Sequence, residues 1–173
     1  EFAHECGIQS NIPALPSIAL GAADIQLIEM LRAYTMFANK GFNTEPIMIN
    51  RIEDKNGNVL ETFQPKVKQI ISESDAYTMY RMMQGVMDFG TGGSMRWRFG
   101  INSQMGGKTG TTDNNTDGWF IGYTPQLLAG AWVGYDDPFL KLIGEGSQMA
   151  LPEFAYFMQK VYANKKLGID PKA

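Results

Sequence analysis

Two short runs decide most of what this chain can fold into. Trp119-Phe120-Ile121-Gly122-Tyr123 and Leu127-Leu128-Ala129-Gly130-Ala131-Trp132-Val133 are each apolar on both faces. A strand's side chains alternate, so a strand apolar on both faces needs cover on both sides. Only Thr124-Pro125-Gln126 separates the runs, so the two strands are antiparallel neighbours. Just upstream stands Gly106-Gly107-Lys108-Thr109-Gly110-Thr111-Thr112, with one cation, three hydroxyls and three glycines in seven residues. Glycines in a strand mark close approach of another backbone or a ligand. Threonines suit a strand and offer hydroxyls to a bound carboxylate. Asp113-Asn114-Asn115-Thr116 is a turn by composition. These features predict an α+β fold: an antiparallel three-strand meander with helices on both faces. Its first strand is expected to be an edge that binds an anionic ligand.

The rest of the chain supplies the cover. A helix is expected over residues 24–40, stopped by Gly41, and its apolar residues run nearly all the way round, which predicts burial in the middle of the molecule. A second helix starts at Ser72, where Asp75 three residues on resembles a capping box. Ala76, Met79, Tyr80, Met83, Val86 and Met87 form one stripe at helical spacing, read as core. A last helix is expected to open near Pro152, a residue suited to a first helical position, with Phe154, Phe157, Met158, Val161 and Tyr162 along one side. Residues 47–53 and 59–62 flank Asp54-Lys55-Asn56-Gly57-Asn58, a hairpin signal. A lone hairpin is marginal, so this one is expected to lean on the body. Residues 66–71 read as extended, 1–7 as a helix end stopped by Gly7, and 11–21 as irregular. Residues 90–93 read as a flexible connector, 94–99 as a short helical turn and 136–147 as loop.

Composition removes several function classes. The chain has 173 residues, room for one domain, with 15 Lys plus Arg against 18 Asp plus Glu, a net charge of -3. That balance argues against a nucleic-acid surface, which wants clustered basic charge. Arg96, Arg98 and Lys108 are the one local basic grouping near the glycines, and the two arginines are expected to be solvated. His4 is the single histidine and Cys6 the single cysteine. Two such residues do not make a zinc site, so no metal and no cofactor is expected. A Ser-His-Asp triad would have to use a base at the terminus, which nearly excludes it. No apolar run approaches the ~20 residues of a membrane span. The sequence opens without Met at Glu1-Phe2-Ala3 and shows no signal peptide, the pattern of a piece of something longer.

Gly107-Lys108-Thr109 also ends the nucleotide-binding pattern G-x-x-x-x-G-K-[ST], but Asn102 stands where that pattern needs glycine, and no helical period follows. A Lys-Thr-Gly strand is instead a named motif of the penicillin-recognising serine enzymes. Lys108-Thr109-Gly110-Thr111-Thr112, then 117–125 and Trp132-Val133-Gly134-Tyr135-Asp136-Asp137, resemble the end of a transpeptidase domain of class A, bifunctional penicillin-binding proteins. Residues 15–21, the helix over 29–41 and Gly90-Thr91-Gly92 match that family in order, so the resemblance covers roughly residues 7–158. It implies peptidoglycan cross-linking outside the cytoplasmic membrane of a bacterial envelope. A serine there attacks the D-Ala-D-Ala end of a stem peptide, and β-lactams acylate the same serine. By resemblance Lys108 supplies positive charge and a hydrogen bond near the catalytic serines. Thr109 and Thr111 hold the terminal carboxylate, with Thr112 beside them. The Thr111 N–H is half of the oxyanion hole, and Gly110 keeps the strand bare for the substrate backbone. Strict alternation sets a difficulty, placing Lys108 and Gly110 on one face and Thr109 and Thr111 on the other. The long flexible stem of lysine offers a way round the edge.

One departure from the family is plain. Ser10, Ser17, Ser72, Ser74, Ser94, Ser103 and Ser147 all lack Lys three places on, and Ser-x-Asn is also missing. By the resemblance both motifs precede this region, as do a glycosyltransferase domain and a membrane anchor. The expectation is a C-terminal part of a transpeptidase domain, inactive by itself, whose uncovered apolar surface promotes self-association. A β-lactamase or D,D-carboxypeptidase relative, or a non-catalytic peptide-binding module of the same fold, are the alternatives.

Overall fold

A computed structural model describes residues 1–172. Three strands form the expected meander: β5 (Gly106–Thr111), β6 (Asp117–Tyr123) and β7 (Leu128–Gly134), antiparallel in the order β5-β6-β7. Before them come β1 (Phe42–Thr44) paired with β4 (Val67–Gln69), and β2 (Arg51–Glu53) paired with β3 (Val59–Thr62). The helices are α1 (Phe2–Glu5), α2 (Leu27–Ala38), α3 (Glu73–Asp88), α4 (Ser94–Trp97) and α5 (Gly146–Ala163), with a 3₁₀ turn over Pro16–Leu20.

Helices cover both faces of the meander, as its two-sided apolar runs require. On one face α5 lays Ala150, Leu151, Phe154, Ala155 and Met158 into a buried cluster with Phe120 and Met87. Phe120 and Phe154 meet edge to face, ring centroids 4.9 Å apart, an arrangement the ring quadrupoles favour. On the other face α2 crosses β7 so closely that a Cβ at Gly130 would lie 2.9 Å from Leu31 Cδ2. There Tyr123 is buried beside Tyr80, and its phenol donates to Met83 Sδ at 3.3 Å. Burial pushes that phenol well above the ordinary tyrosine range, with Tyr34 and Tyr80 adding to the rise. A smaller cluster of Cys6, Ile8, Ala33 and Met36 ties α1 to α2. Burial raises the Cys6 thiol pKa, and the thiol faces Met36 Sδ at 3.7 Å. The His4 ring turns to the Ile8 carbonyl at 2.7 Å.

Local signals explain the boundaries of α3. Ser72 caps it by accepting from the Asp75 N–H at 3.1 Å, and its hydroxyl donates to the Asp75 carboxylate at 2.6 Å. After α2 the chain turns through Gly41 at φ 94, under the Ile71 carbonyl that any Cβ would strike.

The expected cover of α2 holds: Leu27 and Leu31 pack on β7 and Ala33 and Met36 on the α1 side, and of its residues only Ile28, at 42%, is exposed. Other expectations change. Helix α5 opens at Gly146, six residues before Pro152. Its start is a capping box in which Glu145 accepts from the Gln148 backbone and the Gln148 side chain accepts from the Glu145 N–H. Phe157 lies on its exposed side. Every residue of β2 and β3 is exposed, so the hairpin leans little on the body. Residues 90–93 form a turn packed on Val86 and Met87 in place of a flexible connector.

Candidate functional site

Strand β5 is the edge of its sheet. Thr112 N–H donates to the Asp117 carbonyl at 3.2 Å, in register with the pairs Thr111 with Gly118 and Thr109 with Phe120. Hydrogen-bonded pairs alternate along an antiparallel ladder. Gly106, Lys108, Gly110 and Thr112 therefore turn their backbone groups toward β6. Gly107, Thr109 and Thr111 turn theirs to the open side. The Thr111 N–H and the Thr109 carbonyl thus point away from the sheet, and an extended peptide can pair with them as an added strand.

The lysine difficulty is resolved by its stem. Lys108 pairs with Ile121, whose side chain faces α2, so its Cβ starts on the face opposite the threonines. Its Nζ nevertheless returns to the open edge and donates to the Thr109 carbonyl at 2.7 Å, with the residue exposed. The ammonium and the outward backbone of Thr109 and Thr111 therefore share one edge.

Two elements hold the threonines from behind. The first residue of α5, Gly146, donates its backbone N–H to Thr111 Oγ1 at 3.0 Å. Helix and strand approach so closely that a Cβ at Gly146 would collide with the Gly110 carbonyl and lie 2.8 Å from the Trp119 carbonyl. The other element is the turn after α3. Thr91 Oγ1 lies 2.7 Å from Thr109 Oγ1. Gly90 and Gly92 both donate to the Val86 carbonyl, at 3.1 and 3.0 Å. Arg96 braces the turn: it pairs with Asp88 at 3.0 Å and donates to the Ile101 and Ser103 carbonyls at 2.9 and 2.6 Å. Arg96 is thus a structural clamp and not the solvated charge expected, while Arg98 is exposed and sits over the Phe99 ring.

Thr112 goes elsewhere. Its hydroxyl bonds Thr116 Oγ1 at 2.9 Å and Asp117 Oδ2 at 3.1 Å, and accepts from the Asp117 N–H at 2.8 Å. It closes the β5–β6 turn and does not join the other threonines. Sequence reasoning missed Thr91 and Gly146 as neighbours of the site. The signal for Thr91 was there in its flanking glycines; for Gly146 it was the Glu145–Gln148 box.

An edge strand with an exposed cation, two backed hydroxyls and an outward N–H suits a carboxylate-bearing peptide. Comparison with known proteins gives the family. A family model described as the penicillin binding protein transpeptidase domain matches residues 11–135. The chain belongs to that family. It is 33% identical over 168 residues to penicillin-binding protein 1A of Aquifex aeolicus, covering 94% of this chain and 22% of the relative. It is 41% identical over 139 residues to penicillin-binding protein 2D of Bacillus subtilis, covering 78% of this chain and 20% of that one. The chain thus spans about a fifth of the length of these curated relatives. Among solved structures, penicillin-binding protein 1A of Haemophilus influenzae shares the fold with a TM-score of 0.85 at 24% identity, over 94% of this chain and 30% of that one. The PonA1 protein of Mycobacterium tuberculosis in complex with penicillin V gives 0.74 at 26% identity, over 94% and 48%.

Proposed function

We propose that this chain forms the Lys-Thr-Gly wall of the acyl-transfer site in a peptidoglycan D,D-transpeptidase at the extracytoplasmic face of a bacterial envelope. One observation carries the reading: the open edge of β5 brings the Lys108 ammonium, the outward Thr111 N–H and the two backed threonines to one line. An extended stem peptide lies along that edge. Its terminal carboxylate takes the Thr109 and Thr111 hydroxyls, with Lys108 supplying charge. The Thr111 N–H faces the carbonyl under attack and stabilises the oxyanion, a donor of a kind worth on the order of 10²–10³ in rate. Gly110 leaves the strand bare where the peptide passes, and Thr112 fixes the end of the strand. A β-lactam presents the same carboxylate and carbonyl to the same groups. The attacking serine is not among this chain's Ser-x-x-Lys candidates, because it has none. Among the described residues no helix is long and apolar enough to cross a membrane.

A labelled penicillin tests the proposal. The full-length protein is expected to form a covalent adduct, and this chain alone none. An adduct on this chain would overturn the placement of the nucleophile elsewhere. Lys108→Ala in the full-length protein is expected to slow acylation by roughly 10- to 100-fold, the worth of a hydrogen bond to a charged group. Unchanged acylation would remove Lys108 from the site.

A further inference from the structure

We propose that Thr91, which lies outside the strand, is a positioning residue that orients the carboxylate-binding hydroxyl of Thr109. The inference rests on the reading of Thr109 as a carboxylate ligand and adds a residue to it. Thr91 Oγ1 and Thr109 Oγ1 are 2.7 Å apart, and either hydroxyl can donate to the other. A carboxylate only accepts. Once one is bound, Thr109 must give its proton outward, so the pair settles as Thr91 O–H to Thr109 Oγ1 and Thr109 O–H to the ligand. Hydrogen bonds in such a chain polarise one another and strengthen.

The neighbouring hydroxyl shows the same arrangement in fixed form. Thr111 Oγ1 accepts from the Gly146 N–H at 3.0 Å, a donor that cannot accept, so the Thr111 proton is also left free to face outward. Gly146 does for Thr111 by backbone what Thr91 does for Thr109 by side chain. The turn that carries Thr91 is held at several points. Val86 O holds it through two N–H groups, and the Arg96–Asp88 pair closes it at 3.0 Å. A Cβ at Gly92 would lie 2.7 Å from Met87 Sδ, so the turn is packed directly on the core.

The test uses the full-length protein and two thioester peptide substrates, one ending in a carboxylate and one in the matching carboxamide. Thr91→Val is expected to lower kcat/KM for the carboxylate substrate by about three- to tenfold, mainly through KM, the size of one neutral hydrogen bond. The carboxamide substrate is expected to be unaffected, and Thr91→Ser to restore the carboxylate preference. Thr91→Ala repeats the hydroxyl loss without the added methyl of valine. Equal losses on both substrates in the Val and Ala variants, no loss on either, or failure of serine to restore would overturn the proposal. Thr109→Val separates the two levels. If it leaves the carboxylate preference intact, the reading of Thr109 itself fails and takes Thr91 with it. If Thr109→Val abolishes the preference while Thr91→Val spares it, Thr91 alone is wrong.

Discussion

The wall around β5 and the β2–β3 hairpin are both antiparallel, yet they are held by different physics. At the wall, backbone runs against backbone and ring: a Cβ at Gly122 would lie 2.8 Å from Phe154 Cζ, and one at Gly118 3.2 Å from Gly146 Cα. Position there is set by groups distant in sequence. In the hairpin no strand residue is buried, and beyond the backbone ladder and an Arg51–Glu53 ion pair its turn is ordered by Asp54. Its carboxylate accepts from the Asn56 and Asn58 N–H groups at 2.8 and 2.9 Å, and from Asn58 Nδ2 at 2.8 Å. Damage at the wall should therefore spread through the core into the site, and damage at the hairpin should stay where it is made.

The sharpest way to break that contrast is Phe120→Ala. Phe120 is fully buried against Phe154 and Met87, and its strand partner is Thr109. The expected loss is about 3–5 kcal/mol of unfolding free energy in urea, the range for truncating a core phenylalanine. A loss below about 1 kcal/mol, the surface range, would show that the wall is not packed as described. Gly146→Ala comes next. Overpacking of this kind costs about 1–3 kcal/mol, and it pushes α5 off β5. Acylation by a labelled penicillin should fall more than the stability loss explains, because the Thr111 hydroxyl loses its backing. A proportionate fall would reduce Gly146 to a packing role.

The same contrast governs what could be read from sequence. The meander was legible because both-faced apolar runs admit few arrangements, and α3 because Ser72 and Asp75 are neighbours. The Asp54–Asn58 turn was legible for the same local reason. The pairing of β1 with β4 was not, since three-residue strands more than twenty positions apart leave no periodic signal. Pro152 misplaced the start of α5: its fixed φ suits a first position, but it also fits within a helix already begun by the Glu145–Gln148 box. Lys108, Thr109 and Thr111 could be named because they share one motif. Thr91 could not be given a role, because what matters is its distance from Thr109 across 18 positions, and glycines beside it read equally well as a hinge.

The smallest expected effect is at the hairpin, and it probes the comparison from its weak side. The side-chain amide of Asn58, then its backbone N–H, hold the Asp54 carboxyl below the ordinary carboxylate range. A carboxylate depressed in the folded state contributes stability that is complete above its unfolded value and is lost as pH falls through the folded one. Acid should therefore loosen this turn first at Asp54, with amide exchange at Asn56 and Asn58 quickening below the usual aspartate range while the meander amides stay protected. Asp54→Ala should produce the same local loss at neutral pH and leave the urea midpoint of the domain and the acylation rate unchanged. If instead Asp54→Ala shifts that midpoint, the hairpin is coupled to the core despite its exposed strands. The division between a wall set by long-range packing and a turn set by one carboxylate would then have to be redrawn.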